Sequence, residues 1–164
     1  MISDSKVHAK EGFSRVPPPL LFTAAASLGY LFDKRVRRND KRGRLSKYVG
    51  LLVLEVGAAL GAWALGTMIR RGQNPNPAAE KTELITNGPF RLSRNPVYLG
   101  AAIAALGRSI QASSPTGSVL TMAVLLYVDR KVVPTEEQYL SERFGETYDE
   151  YRSSVPRWVI RRQA

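Results

Sequence analysis

Hydrophobic positions in this chain fall into four blocks separated by charged or turn-rich stretches. The first, about Pro17 to Phe32, opens on three prolines and continues LLFTAAASLGYLF. Proline suits a helix N-terminus because its missing N–H has no partner there anyway. The second block, about Tyr48 to Ile69, is long enough to span a bilayer, whose ~30 Å hydrocarbon core takes about 20 helical residues. It carries the small residues Gly57, Ala58 and Gly61, which allow close helix contact, and one acid, Glu55. A carboxyl inside such a segment is expected to face a bundle interior or a wet cavity. The third and fourth blocks, about Pro96 to Ile110 and Ser118 to Val133, flank a turn at 111–117 and read as a helical hairpin.

The last thirty residues change character. Phe144, Tyr148 and Tyr151 share one helical face among charged neighbours, which predicts an amphipathic cap, with Gly145 as a break. Trp158 among the cations of 157–162 reads as an interfacial anchor. The expected architecture is therefore all-α. It is an integral-membrane bundle of about four spans, with two N-terminal helices in 1–69, a polar loop at 70–95, a hairpin at 96–133 and a capping tail at 134–164.

Charge sharpens this picture. The formal net charge is +10. Beside long apolar blocks, that excess suits anionic membrane lipids better than nucleic acid, for which no zinc-finger or aromatic-basic signature exists. With four spans, one side holds 15 Lys/Arg and the other holds 9. The majority rule puts the 70–94 loop and the tail in the cytoplasm. The dense basic run at 33–47 pulls the other way. It is either a headgroup contact or a sign that the first two segments do not cross as drawn. The chain has no cysteine, and its single histidine, His8, lies in a polar N-terminal tail. Thiol chemistry, Ser-His triads and histidine metal sites are thereby set aside.

Two motifs carry candidate chemistry. TNGPFRLSRNPVYLG occupies Thr86 to Gly100, and PTEEQYLSERFGETYDEYRSSVPRW occupies Pro134 to Trp158, with QNPNP upstream at Gln73 to Pro77. Read individually, each has a plain structural explanation. Ser93 or Asn95 can cap a helix with Pro96 in its first turn. Glu136 and Glu137 can complement a helix dipole behind a Thr135 cap. In this order and spacing, however, the motifs resemble the isoprenylcysteine carboxyl methyltransferase and phospholipid methyltransferase family.

The resemblance implies a membrane methyltransferase that uses S-adenosylmethionine and acts on a hydrophobic, membrane-resident acceptor, with its site on the cytoplasmic face. It implies a cofactor pocket with Arg94, Asn95, Pro96, Tyr98, Leu99 and Gly100 on one wall. Glu136 and Glu137 stand on the other, with Arg130 and Tyr148 nearby. Arg94, Glu137 and Glu55 are the candidates for catalytic work. Guanidinium groups can grip a carboxylate, and a glutamate can hold an ammonium or accept a proton. Asn95 stands where the carboxyl methyltransferases usually have histidine, which weakens a prenylcysteine assignment. Two other readings are a sterol-type NADPH-dependent reductase and a non-enzymatic anionic-lipid-binding protein. The stretches Asn95-Pro96-Val97-Tyr98 and Thr135-Glu136-Glu137 favour the methyltransferase over the reductase.

Overall fold

The computed structural model describes residues 16–36, 43–74 and 80–159. The tail containing His8, the centre of the basic run at 37–42, the Pro75-Asn76-Pro77 stretch and the residues from 160 onward lie outside them. The regular secondary structure among the described residues is helical, with no strand among them.

Helix α1 (Pro18–Val36) starts within the proline triplet. Helix α2 (Arg44–Arg70) has 27 residues, about 40 Å at 1.5 Å per residue. Among the described helices it alone is long and apolar enough to cross a membrane, by length and composition. Helix α3 (Pro96–Gln111) and helix α4 (Pro115–Tyr127) form the hairpin. The Ser114 hydroxyl caps α4 by accepting from the Gly117 N–H at 3.0 Å.

The chain does not end its fourth helix where the apolar block ends. A π-turn (Val128–Val132) leads directly into α5 (Val133–Phe144). Gly145, at φ 53°, ψ −131°, then breaks the helix before α6 (Glu146–Ser154). Few side chains tolerate that backbone, so the break falls on the glycine.

Small residues set how the helices pack. An added Cβ on Gly100 would sit 2.6 Å from the Gly61 nitrogen, and one on Gly57 would sit 2.7 Å from the Gly100 carbonyl oxygen. Further along, Gly107 lies against Leu54 and Gly50 against Gln111. Helices α2 and α3 therefore run antiparallel in near-backbone contact. The Gly57/Gly61 pair serves this internal seam, and so does Gly100, which the resemblance had placed in the cofactor wall.

Helix α1 closes the bundle on α4. Its Asp33 carboxylate is buried and accepts from the Ser114 hydroxyl (2.6 Å), the Thr116 hydroxyl (2.6 Å) and the Thr116 N–H (3.1 Å). An acid at a helix N-terminus satisfies orphan N–H groups and complements the dipole. At the opposite end of α1, Phe22 is buried with Tyr98, Val128, Val132 and Val133. This second end, where α2 stops, α3 starts and α5 arrives, carries the site. Glu55 is not there. It lies on the exposed side of α2, away from the packed seam. The helix turns its inward face through Gly50, Gly57 and Ala64, and position 55 falls on the other side.

Candidate active site

Residues 80–95 descend from the end of α2 to the start of α3 and form one rim of a pocket. Gln73 anchors this strap: its side-chain amide donates to the Thr82 hydroxyl at 2.6 Å. Helix α5 holds it from the other side. Tyr139 Oη accepts from the Lys81 N–H at 3.2 Å, and Arg143 Nε donates to the Lys81 carbonyl at 3.0 Å. A short 3₁₀ turn (Gly88–Arg91) is fixed by α6, whose Tyr151 hydroxyl donates to the Phe90 carbonyl at 2.7 Å.

The enclosed space is about 800 Å³, open mouth included. Its walls combine apolar side chains (Met68, Leu84, Ile85, Phe90, Val97, Leu140) with a few charged ones. Arg94, Asn95, Pro96, Tyr98, Glu136, Glu137 and Tyr148 all line it. Helix α3 therefore contributes its first turn, and α5 contributes both glutamates. Leu99, Gly100 and Arg130 are not in the lining. Arg130 is exposed on the π-turn. Successive helical residues project about 100° apart, so Asp129 faces inward and Arg130 outward.

The two adjacent glutamates have different surroundings. Glu137 is buried between two arginines: Arg94 Nη1 lies 2.9 Å from Oε1, and Arg157 Nη2 lies 2.7 Å from Oε2. Arg94 Nη1 also donates to the Tyr148 hydroxyl at 3.1 Å. The Nε of Arg94 is buried and has no hydrogen-bond partner, a costly state for a guanidinium N–H unless a ligand meets it. Glu136, in contrast, faces no arginine. It accepts from the Tyr98 hydroxyl at 3.0 Å. Burial holds its carboxyl above the ordinary glutamate value of 4.5, opposed by the nearby Lys81 charge and the Tyr98 hydrogen bond. Burial likewise lowers the Lys81 ammonium, opposed by Glu136.

The raised Glu136 gives a testable sign. A carboxyl held above its unfolded value contributes stability that is fully present below pH 4.5. That contribution is lost as pH rises through the folded value. The wild-type melting temperature should therefore fall relative to that of Glu136→Gln as pH rises from 4.5. The gap should change by on the order of 1 kcal/mol per pH unit inside the window. Parallel thermal-unfolding curves of the two proteins would refute the assignment.

The helix-start reading of 93–96 holds in part: Pro96 stands in the first turn of α3. Asn95 precedes α3 without any side-chain cap bond; its amide donates to the Arg157 carbonyl at 3.2 Å. Ser93 Oγ donates to the same carbonyl at 2.8 Å. Thr135 caps nothing, because the helix runs through it and its hydroxyl donates back to the Lys131 carbonyl at 2.9 Å. The stretch 160–162 of the expected interfacial anchor lies outside the described residues; Arg157 and Trp158 are within them. They fold back on the π-turn, where Trp158 Nε1 donates to Asp129 Oδ1 at 2.8 Å and Arg157 Nη1 lies 3.2 Å from the same oxygen. Lys81, Asp129, Tyr151, Arg157 and Trp158 are the site residues that sequence reasoning missed. Only the terminal Val155-Pro156-Arg157, inside the second motif, hinted at the last two.

The RNPVY turn and the paired glutamates, which meet at this pocket, lie in a stretch of chain that resembles known proteins in sequence. The phospholipid methyltransferase family model matches residues 45–147, most of the chain, and the chain belongs to that family. Its relatives include a probable protein-S-isoprenylcysteine O-methyltransferase of Oryza sativa subsp. japonica. That protein is 33% identical over 110 residues, which cover 66% of this chain and 58% of the rice protein. The protein-S-isoprenylcysteine O-methyltransferase of Schizosaccharomyces pombe is also 33% identical over 110 residues, covering 60% of this chain and 47% of the yeast one. Protein-S-isoprenylcysteine O-methyltransferase A of Arabidopsis thaliana is 35% identical over 72 residues, 44% of this chain and 36% of its own length. The chain thus spans about half the length of the curated relatives it matches.

Proposed function

We propose that this protein transfers a methyl group from S-adenosylmethionine to a lipid-like or isoprenoid-linked acceptor at a membrane. The observation that carries the reading is the buried, unpartnered Nε of Arg94, set in a mixed apolar and ionic pocket at the junction of the two family motifs. The residues suit that cofactor. Arg94 has a donor left for a carboxylate, Glu136 offers a carboxyl to an ammonium or hydroxyl, and the apolar walls suit an adenine ring or an acyl chain. Tyr148 and Tyr98 add ring faces for a cation.

S-adenosylmethionine supplies the electrophilic methyl group. The protein supplies position, which in such displacements can be worth roughly 7–11 kcal/mol. An acceptor carboxylate needs no base. For an amine or hydroxyl acceptor, Glu136 is the pocket carboxyl without an arginine partner, and it would take the proton. Glu55, remote on the outer face of α2, is dropped from that role. Glu137, with both oxygens engaged by arginines, orients Arg94 rather than reacting.

Helix α2 anchors the protein in the bilayer, and the site end faces the cytoplasm, on the side with more Lys/Arg. The exposed basic residues at the far end, among them Lys34, Arg35, Arg44 and Lys47, suit contact with anionic groups.

The test is isothermal calorimetry of purified protein in detergent and in lipid nanodiscs, with S-adenosylmethionine and NADPH as separate titrants. Saturable binding of S-adenosylmethionine alone is the expected result. Binding of NADPH in its place would move the protein to the reductase class, and binding of neither would leave the reading without support.

A further inference from the structure

We infer that Arg157 is a positioning residue that holds the Glu137 carboxylate in the pose leaving Arg94 Nε open to a ligand. The inference rests on the pocket reading above and specifies how its anion-binding group is kept available.

Arg157 does not line the cavity. It approaches Glu137 side-on and takes both carboxylate oxygens, with Nε to Oε1 at 3.0 Å and Nη2 to Oε2 at 2.7 Å. Arg94 is left with a single nitrogen on that carboxylate, Nη1 at 2.9 Å. An arginine and a carboxylate left to themselves favour two parallel N–H···O bonds. Here Arg157 makes that paired contact and Arg94 does not, and the Nε of Arg94 stays buried without a partner.

Arg157 is itself fixed from the other side. Its Nη1 donates to the Asp129 carbonyl (3.3 Å) and carboxylate (3.2 Å), and Trp158 Nε1 holds the same Asp129 oxygen at 2.8 Å. Its backbone is stitched to the turn that carries Arg94. The Pro156 carbonyl accepts from the Arg94 N–H at 3.0 Å, and the Arg157 carbonyl accepts from Ser93 Oγ and Asn95 Nδ2. The tail thus sets both the backbone position of Arg94 and the orientation of the carboxylate beside it.

Without the Arg157 side chain, Glu137 keeps one cationic neighbour. It then swings to grip Arg94 through two N–H groups, and the donor meant for the ligand is consumed within the protein. A plain loss of fold support would have a different signature, because binding would then recover only together with the melting temperature.

The experiment measures S-adenosylmethionine binding by calorimetry, with melting temperatures, for wild type, Arg157→Ala and the double variant Arg157→Ala/Glu137→Gln. Arg157→Ala should weaken binding by about ten- to a hundredfold, the worth of one charge-assisted hydrogen bond. The double variant should recover most of that loss, because a neutral amide does not quench Arg94, and it should do so without a higher melting temperature. Unchanged binding in Arg157→Ala overturns the inference. So does a double variant as weak as the single one, which would make Arg157 a support of the fold. Wild type that binds nothing overturns the methyltransferase reading, and the inference falls with it.

Discussion

Replacing Arg94 with alanine should remove S-adenosylmethionine binding by at least a hundredfold and lower stability as well. Two separate losses drive this. The first is the free Nε donor, a charged hydrogen bond from a buried nitrogen to a ligand. The second is structural. Glu137 and Arg94 are each about nine-tenths buried at the side chain, and removing one partner of such a pair leaves charge without full compensation. Arg157 still holds Glu137, so the stability cost should be about 2 kcal/mol rather than the 3–5 of a fully orphaned ion. Arg94→Lys separates the two effects. It keeps a cation near Glu137 and most of the stability, yet a single ammonium does not reproduce a guanidinium that serves Glu137, Tyr148 and a ligand through different nitrogens. Calorimetry and thermal unfolding of the three proteins give the answer. Wild-type affinity in Arg94→Ala would reduce Arg94 to a brace and shift the ligand to the Lys81–Glu136 side of the pocket.

How much of this was legible in the sequence depends on which physics decides each feature. The α2 and α3 helices start and stop within a few residues of their apolar blocks, because apolar residues that must be buried or face lipid declare themselves in composition. The break at Gly145 was equally readable, since it depends on one residue's own backbone freedom. The continuity from α4 into α5 was not. The sequence suggests a block ending near Val133 and a new helix starting behind a Thr135 cap, yet the stretch 129–138 is helical throughout. Its charges are satisfied by Arg157 and Lys81, which come from distant parts of the chain.

The site divides along the same line. Arg94, Tyr98, Glu136 and Glu137 were marked by local motifs. Their partners were not, because ion pairs such as Glu137 with Arg157 join residues whose adjacency is created only by folding. Arg130 and Asp129 show the limit most sharply. A position implied by family spacing was one residue away from the side chain that faces the network, and a step of about 100° around the helix is enough to turn a side chain from that network to solvent.

The glycine seam between α2 and α3 carries the second large effect. Gly57→Val should destabilise the protein by about 3 kcal/mol or more, at the upper end of what overpacking costs. A Cβ at position 57 would lie 2.7 Å from the Gly100 carbonyl oxygen and 2.8 Å from the Ala104 Cα. Those are main-chain atoms of a neighbouring helix, so no rotamer change relieves the contact; the helices must move apart. Their separation would carry to the site, since the same pair of helices ends at Met68 and begins at Pro96, both of which line the pocket. Loss of stability should therefore come with loss of ligand binding. Gly61→Ala is the matched control. It lies on the same helix one turn on, where an added Cβ meets nothing within 4 Å. It should leave the melting temperature unchanged or raise it slightly, because alanine is the better helix former by roughly 1 kcal/mol. If Gly57→Val melts with wild type in detergent, the close approach of α2 and α3 is not what holds the bundle together. If both variants fall equally, the clash of the added side chain with the α3 backbone is not what destabilises Gly57→Val.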